Sequence, residues 1–445
     1  MTSDHGDIPA DLEEAYLTAT ERSRELHHEA REHLPGGNSR TTLHFEPYPL
    51  YIEDAEGCRV TDADGNEYVD FFNNATSLIH GHAPESVTEA AAAAARSGSA
   101  PGGPTPSEID LAAHLTDRIA SVDRVRFTNS GTEATMHAVR AARAYTGEST
   151  IAKFEGIYHG THDVAQVSVA PPVHLAGPAE DPTAVPDSAG VHPAVTEDTV
   201  VVPFNSVAAT REKLERHADD LAGVLIHPLM GINVIPAGEE FVAMLEEFTD
   251  AHDVPLIFDE VVSFRIAHGG AQERYGVEPD ITALGKVIGG GFPAGAVGGR
   301  EDIMSLFDPT AHGEIAHGGT FNANPVTMRA GLTAMEEYDR DAVKRVNGLA
   351  ASLVERAREV FREHAVEARV NRSGSLFNVY FSDQPVTDYR SRVASSSREE
   401  QRLFHLLLNE GVRLSPGLMG AVSTPMTESE VDGFVDALGS AVERL

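Results

Sequence analysis

Tryptophan is absent from this chain of 445 residues, cysteine occurs once, and lysine occurs four times. With Cys58 alone, no intramolecular disulfide and no cysteine-based zinc site can form. No apolar run approaches the roughly 18 residues that a membrane span requires. The start, MTSDHGDIPADLEE, is acidic and polar and lacks the charged-then-apolar pattern of a secretory signal. A cytoplasmic protein is expected. Positive charge is also scarce: 34 Lys+Arg face 69 Asp+Glu, for a net charge of −35. Nucleic acids and anionic membranes need Lys/Arg-rich faces, so neither is expected as a partner. Aromatic residues reach only 6%, yet 41% of the chain is hydrophobic and 23% charged, a globular balance. A chain of this length can bury a large core and is expected to split into domains. Acid excess with few lysines suits a halophilic protein, because at about 1 M salt charge is screened within roughly 3 Å.

Residues 10–33 read as a helix that stops before Pro35-Gly36-Gly37. Residues 48–72 alternate apolar and polar side chains around Asp64-Gly65, a hairpin signal. From about residue 107 helices and strands alternate. Strands are expected at 122–127, 150–154, within 195–204, at 221–229 and at 254–262, with helices at 131–147 and 238–253 between them. This order predicts an α/β fold: a mainly parallel central sheet flanked by helices. The stretch 170–194 is rich in Pro, Ala and Gly and reads as a long loop. After about residue 330, short strands and longer helices suggest a smaller α+β domain. The expected division is 1–74, 75–328 and 329–445, the first segment packing with the last.

Of the four lysines, Lys153 lies in a strand pattern, and Lys213 and Lys344 lie in charged helical surroundings. These three suit solvated faces or strand ends. Lys286 lies between an apolar strand and a glycine-rich stretch, ITALGKVIGGGFPAGAVGGR. Apolar flanks lower a lysine pKa, and a neutral amine can form a Schiff base with an aldehyde. A buried strand-end lysine would look the same. Asp259 ends the apolar run LIFDE, where ligands of open α/β sheets bind. It could hold a protonated ring nitrogen or cap the next element. In TNSGTEA, Ser130, Gly131 and Thr132 open a helix. They could bind a phosphate at the helix N-terminus or form an ordinary cap. Gly289-x-Gly291-x-x-Ala294 matches a dinucleotide fingerprint only in letters, because AGAVGG after it reads as a strand. The 21 histidines, among them His80, His82, His159, His162, His312 and His317, show no HExxH or comparable ligand spacing, and no metal site is expected.

Together these stretches resemble the class III (fold type I) pyridoxal-phosphate aminotransferases from about Pro35 to the C-terminus. The resemblance is carried by PGGNSRTTLHFEPYP, NSGTEATMHAVRAARAYTG, KFEGIYHG, LIFDEVVSFRIAHGGAQERYGVEPDITALGKVIGGGFPAGAVGGR and HGGTFNANPVTMRAG. It implies a fold type I transferase with pyridoxal 5'-phosphate as cofactor and a small domain formed by the two chain ends. Lys286 would carry the cofactor and move the substrate proton, and Asp259 would pair with its ring nitrogen. Val261 would pack behind the ring, Tyr158 would stack on it, and His159 would stand beside Tyr158. Ser130, Gly131 and Thr132 would hold the phosphate. Thr320 would reach the phosphate of the partner in a homodimer. Two branches compete: glutamate-1-semialdehyde 2,1-aminomutases and transaminases of β-amino acids. The second is favoured, and Arg40 would there bind the substrate carboxylate, with a 2-oxo acid as acceptor. The resembled family carries Glu-Pro where this chain has His227-Pro228, and two to five residues after that Pro a Gln or Asn that reaches the ring hydroxyl; this chain has Met230, Ile232 and Asn233 there, and Asn233 would substitute one register off.

Overall fold

The computed structural model describes residues 8–311 and 313–445, so His312 lies outside the described residues. The chain divides into two units. One comprises residues 85–344 and 387–390; the other comprises, among the described residues, 8–84, 345–386 and 391–445. Both chain ends therefore share one unit. Its borders differ from the composition breaks near 74 and 328. The helix Pro325–Glu337 belongs to the larger unit, where Gly331 lies against the Ile288 carbonyl and Gly290 against that of Ala330.

The larger unit is built on a seven-stranded sheet. Its spatial order is Arg124–Thr128, Gly295–Gly299, Ile281–Gly285, Leu256–Asp259, Leu221–Ile226, Thr150–Phe154, Thr199–Val202. Gly295–Gly299 runs antiparallel to both neighbours, and the remaining pairs are parallel. That strand position disposes of the dinucleotide motif, which needs a helix there. The central strands are buried along their length, which explains their unbroken apolar runs. The helix Gly131–Thr146 lays Ala138, Ala141 and Ala142 on the sheet against Ile151, Leu225 and Ile257. Small side chains let the helix axis approach the sheet closely. Its C-terminus stops at Gly147, whose φ of 79° suits glycine.

In the smaller unit, the expected helix over 10–33 is two helices, Ala10–Ala19 and Glu21–Ala30. Thr20 breaks it with φ −129°, its hydroxyl donating to the Tyr16 carbonyl at 2.6 Å. The hairpin is a three-stranded meander, Ile52–Glu56, Arg59–Asp62 and Glu67–Asp70, joined in parallel by Val412–Arg413. A second cluster, Phe71, Phe377 and Phe434, also draws on both chain ends, with ring centroids 5.2–6.1 Å apart.

Candidate active site

Adjacent strand ends of the larger unit bring the predicted residues together. Asp259 closes Leu256–Asp259 and Lys286 follows Ile281–Gly285 directly. Lys286 has φ 51°, in the left-handed region that a lysine rarely occupies. Such strain persists only where the surroundings enforce it and is concentrated at functional sites. Asp259 is 2% exposed. Its Oδ1 accepts the Val261 N–H at 3.0 Å, and its Oδ2 accepts the His159 Nδ1 proton at 2.9 Å. Burial pushes the Asp259 carboxyl up; His227, the Val261 N–H and Lys286 oppose that rise. Burial also drives His159 well below the ordinary imidazole value. Burial thus disfavours the charged form of both groups.

Ser130 is the N-cap of Gly131–Thr146, its Oγ accepting the Glu133 N–H at 3.2 Å. The Gly131 and Thr132 N–H groups belong to the first turn, where no intrahelical carbonyl is available. A Cβ at Gly131 would stand 2.9 Å from Val261 Cγ1, and one at Gly285 3.3 Å from the same atom. The two glycines and Val261 therefore form one cradle, and Val261 stays only partly buried. Thr132 Oγ1 accepts the Thr161 N–H at 3.2 Å, and Gly160, with φ 102°, presses on Thr132. Thr135 donates to the His159 carbonyl at 2.6 Å, which ties the Tyr158-His159 loop to the same helix. Tyr158 is 42% exposed, and burial of the rest of its ring raises its phenol.

Two predicted residues make no contact with these side chains in the bonds the structure shows. Arg40 belongs to the smaller unit, where its Nη1 donates to Asn74 Oδ1 at 2.8 Å. Burial and nearby Arg413 lower its pKa. Thr320 is exposed within a loop anchored by an Asn129–Asn322 hydrogen bond of 2.6 Å. Lys153 departs from the solvated or strand-end role. It is fully buried and donates to the carbonyls of Ile157, Ala165 and Val167. Desolvation pushes it down to about 7. Lys213 is also largely buried and pairs with Asp181 at 2.7 Å. Sequence reasoning did not place His162 and His227 at the site. His227 is buried and His162 half-buried; both are pushed down to about 4 by desolvation, and Asp259 acts on both. The departure His227-Pro228 was the available signal. Among the described residues, no group of three His, Cys, Asp or Glu could hold a metal ion, and no helix is long and apolar enough to cross a membrane.

A lysine, a strand-end aspartate, a helix N-terminus and a glycine–valine cradle on this sheet define a fold type I pyridoxal-phosphate enzyme. The chain belongs to the class-III aminotransferases, whose family model matches residues 43–427. It is 37% identical over 429 residues to glutamate-1-semialdehyde 2,1-aminomutase of Methanocaldococcus jannaschii, covering 96% of this chain and 99% of that one. Among solved structures it is similar to an omega-transaminase from Sphaerobacter thermophilus, with a TM-score of 0.91 and 46% identity; 95% of this chain and 97% of that one are covered. A β-phenylalanine aminotransferase from Variovorax paradoxus has a TM-score of 0.89 and 33% identity, covering 98% and 96%. The cofactor of this family is pyridoxal 5'-phosphate. The cradle, the donor-rich helix start and the buried carboxylate suit the ring, the phosphate and the ring nitrogen of that group.

Proposed function

We propose that the chain is an aminotransferase that moves an amino group from a carboxylate-bearing donor, a β-amino acid by preference, to a 2-oxo acid. The observation that carries the choice of branch is the 46% identity to the omega-transaminase, against 37% to the M. jannaschii aminomutase. When bound, pyridoxal phosphate supplies an electron sink that makes the donor's C–H proton acidic. Lys286 holds the cofactor and afterwards carries that proton between two carbons as a neutral amine. Asp259 pairs with the ring nitrogen, and His159 keeps the carboxylate oriented through Oδ2. Ser130, Gly131 and Thr132 hold the phosphate, Val261 supports one ring face and Tyr158 the other. Arg40 binds the donor carboxylate as a planar fork. Two copies of the chain form the working enzyme, with Thr320 directed to the partner's phosphate.

The second reading is a glutamate-1-semialdehyde 2,1-aminomutase, which the M. jannaschii relative favours. The experiment is a panel of amino donors scored by bleaching of the visible cofactor band, with and without a 2-oxo acid. Bleaching by β-amino acids, with recovery on adding the oxo acid, is expected. Turnover of glutamate-1-semialdehyde with no acceptor establishes the aminomutase instead. Lys286→Ala should lose both the band and turnover; a variant that keeps both removes the assignment.

A further inference from the structure

His227 immediately follows the strand Leu221–Ile226 and is 1% exposed. Ile226 pairs with Phe258 in parallel register, so the next residues, His227 and Asp259, are neighbours across the sheet end. The Leu229 N–H donates to His227 Nδ1 at 3.3 Å. With the Nδ1 lone pair occupied, a neutral imidazole carries its proton on Nε2. Burial keeps the ring neutral near pH 7. Among the described residues Nε2 has no hydrogen-bond partner. A buried donor without an acceptor is costly and calls for an explanation. Gly231 leaves the atom uncovered: a Cβ there would lie 3.6 Å from Nε2.

Strand order supplies the direction. The phosphate residues Ser130–Thr132 follow Arg124–Thr128, and Lys286 follows Ile281–Gly285. Both strands lie on one side of Leu256–Asp259, and Leu221–Ile226 lies on the other. In a pyridoxal ring whose nitrogen meets Asp259, the phosphate arm on C5 and the hydroxyl on C3 point to opposite sides. The hydroxyl therefore faces the His227 strand. We propose that His227 Nε2–H donates a hydrogen bond to the C3 oxygen of the cofactor. This contact rests on the reading of Asp259 and Lys286 given above. It also gives the buried Nε2–H of His227 an acceptor.

The C3 oxygen shares the proton of the Lys286-linked nitrogen. A second donor stabilises the oxygen as an anion and so weakens that nitrogen's hold on its proton. Asp259, His159 and Lys286 are the titratable groups that act on His227, and His162 acts on Asp259. The test titrates the visible band of the holoenzyme in wild type, His227→Gln and His227→Met. The variants have similar shape and no charge, but only Gln keeps a donor. His227→Gln should titrate within a few tenths of a unit of wild type. His227→Met should shift upward by about one unit, a tenfold change in proton affinity. Retention of the band by Gln and its loss in Met also supports the contact. Equal midpoints in the two variants, or loss of the band in both, overturn it. A wild type that shows no band with added cofactor overturns the function itself, which keeps the two failures distinct.

Discussion

His405 shows how one buried ring sets an acid limit. It packs against Tyr16, Phe45 and Phe404 with centroids 5.2–6.0 Å away, and burial pushes its imidazole down to about 4. In the unfolded chain the value returns to about 6.5. Between these values the unfolded state binds more protons, so stability falls as pH drops from about 6.5 to about 4, then levels off. At pH 5 this contribution costs about 2 kcal/mol relative to neutral pH. His405→Phe should remove it. The difference in urea-unfolding free energy between variant and wild type should shift by about that amount in favour of the variant from pH 7.5 to pH 5. A difference that does not change with pH contradicts a neutral, buried His405. The same scale separates the lysines. Sequence context identified Lys286 by its apolar and glycine-rich flanks, but could not show that Lys153 is buried. Its partners, the carbonyls of Ile157, Ala165 and Val167, come from a loop that folds back over its strand.

At the scale of elements, the long loop 170–194 is held by residues far away in the chain. Arg390 forms a two-pronged ion pair with Glu155, both bonds 2.7 Å, and donates to the carbonyls of Ala176 and Gly177. Tyr389 donates to the Pro171 carbonyl at 2.7 Å. Glu155 is buried, so removing its partner strands a charge. Arg390→Leu should cost about 3 kcal/mol and speed proteolytic cleavage within residues 172–192. Cleavage at the wild-type rate would show that the loop is ordered by other contacts. The helix–strand order of this unit was legible because strands buried on both faces read as continuous apolar runs. The break at Thr20 was not, since a threonine inside a helical pattern carries no stop signal of its own.

For the whole molecule, the charge of −35 bears on conditions and the exposed Thr320 on assembly. Self-repulsion of an acidic surface weakens as the screening length contracts from about 10 Å at 0.1 M to about 3 Å at 1 M. Melting temperature should therefore rise steadily with sodium chloride up to molar concentration; a flat profile removes the proposed adaptation to salt. If Thr320 serves the partner's site, Lys286→Ala and Thr320→Ala homodimers should each be impaired. Subunit exchange between them creates a mixed dimer with both defects in one site and none in the other. Random exchange should then restore about a quarter of wild-type turnover. No recovery after verified exchange would place Thr320 in its own subunit's site or outside the machinery.

The sequence by itself determined the class of chemistry. Lys286, Asp259 and the Ser130–Thr132 helix start are local signals, each written by its immediate neighbours. It also determined the alternating helices and strands, because burial on both faces leaves a periodic record. Only the tertiary structure decided which distant residues meet. The register of Ile226 with Phe258 sets His227 beside Asp259, and Val412–Arg413 joins the strand Glu67–Asp70. The His159–Asp259 contact and the place of His227 beside Asp259 depend on strands far apart in the chain, and the capping of Lys153 on a loop that folds back over its own strand. Periodicity records which side of an element is buried; it does not record against what, and the charge state of a buried imidazole depends on that.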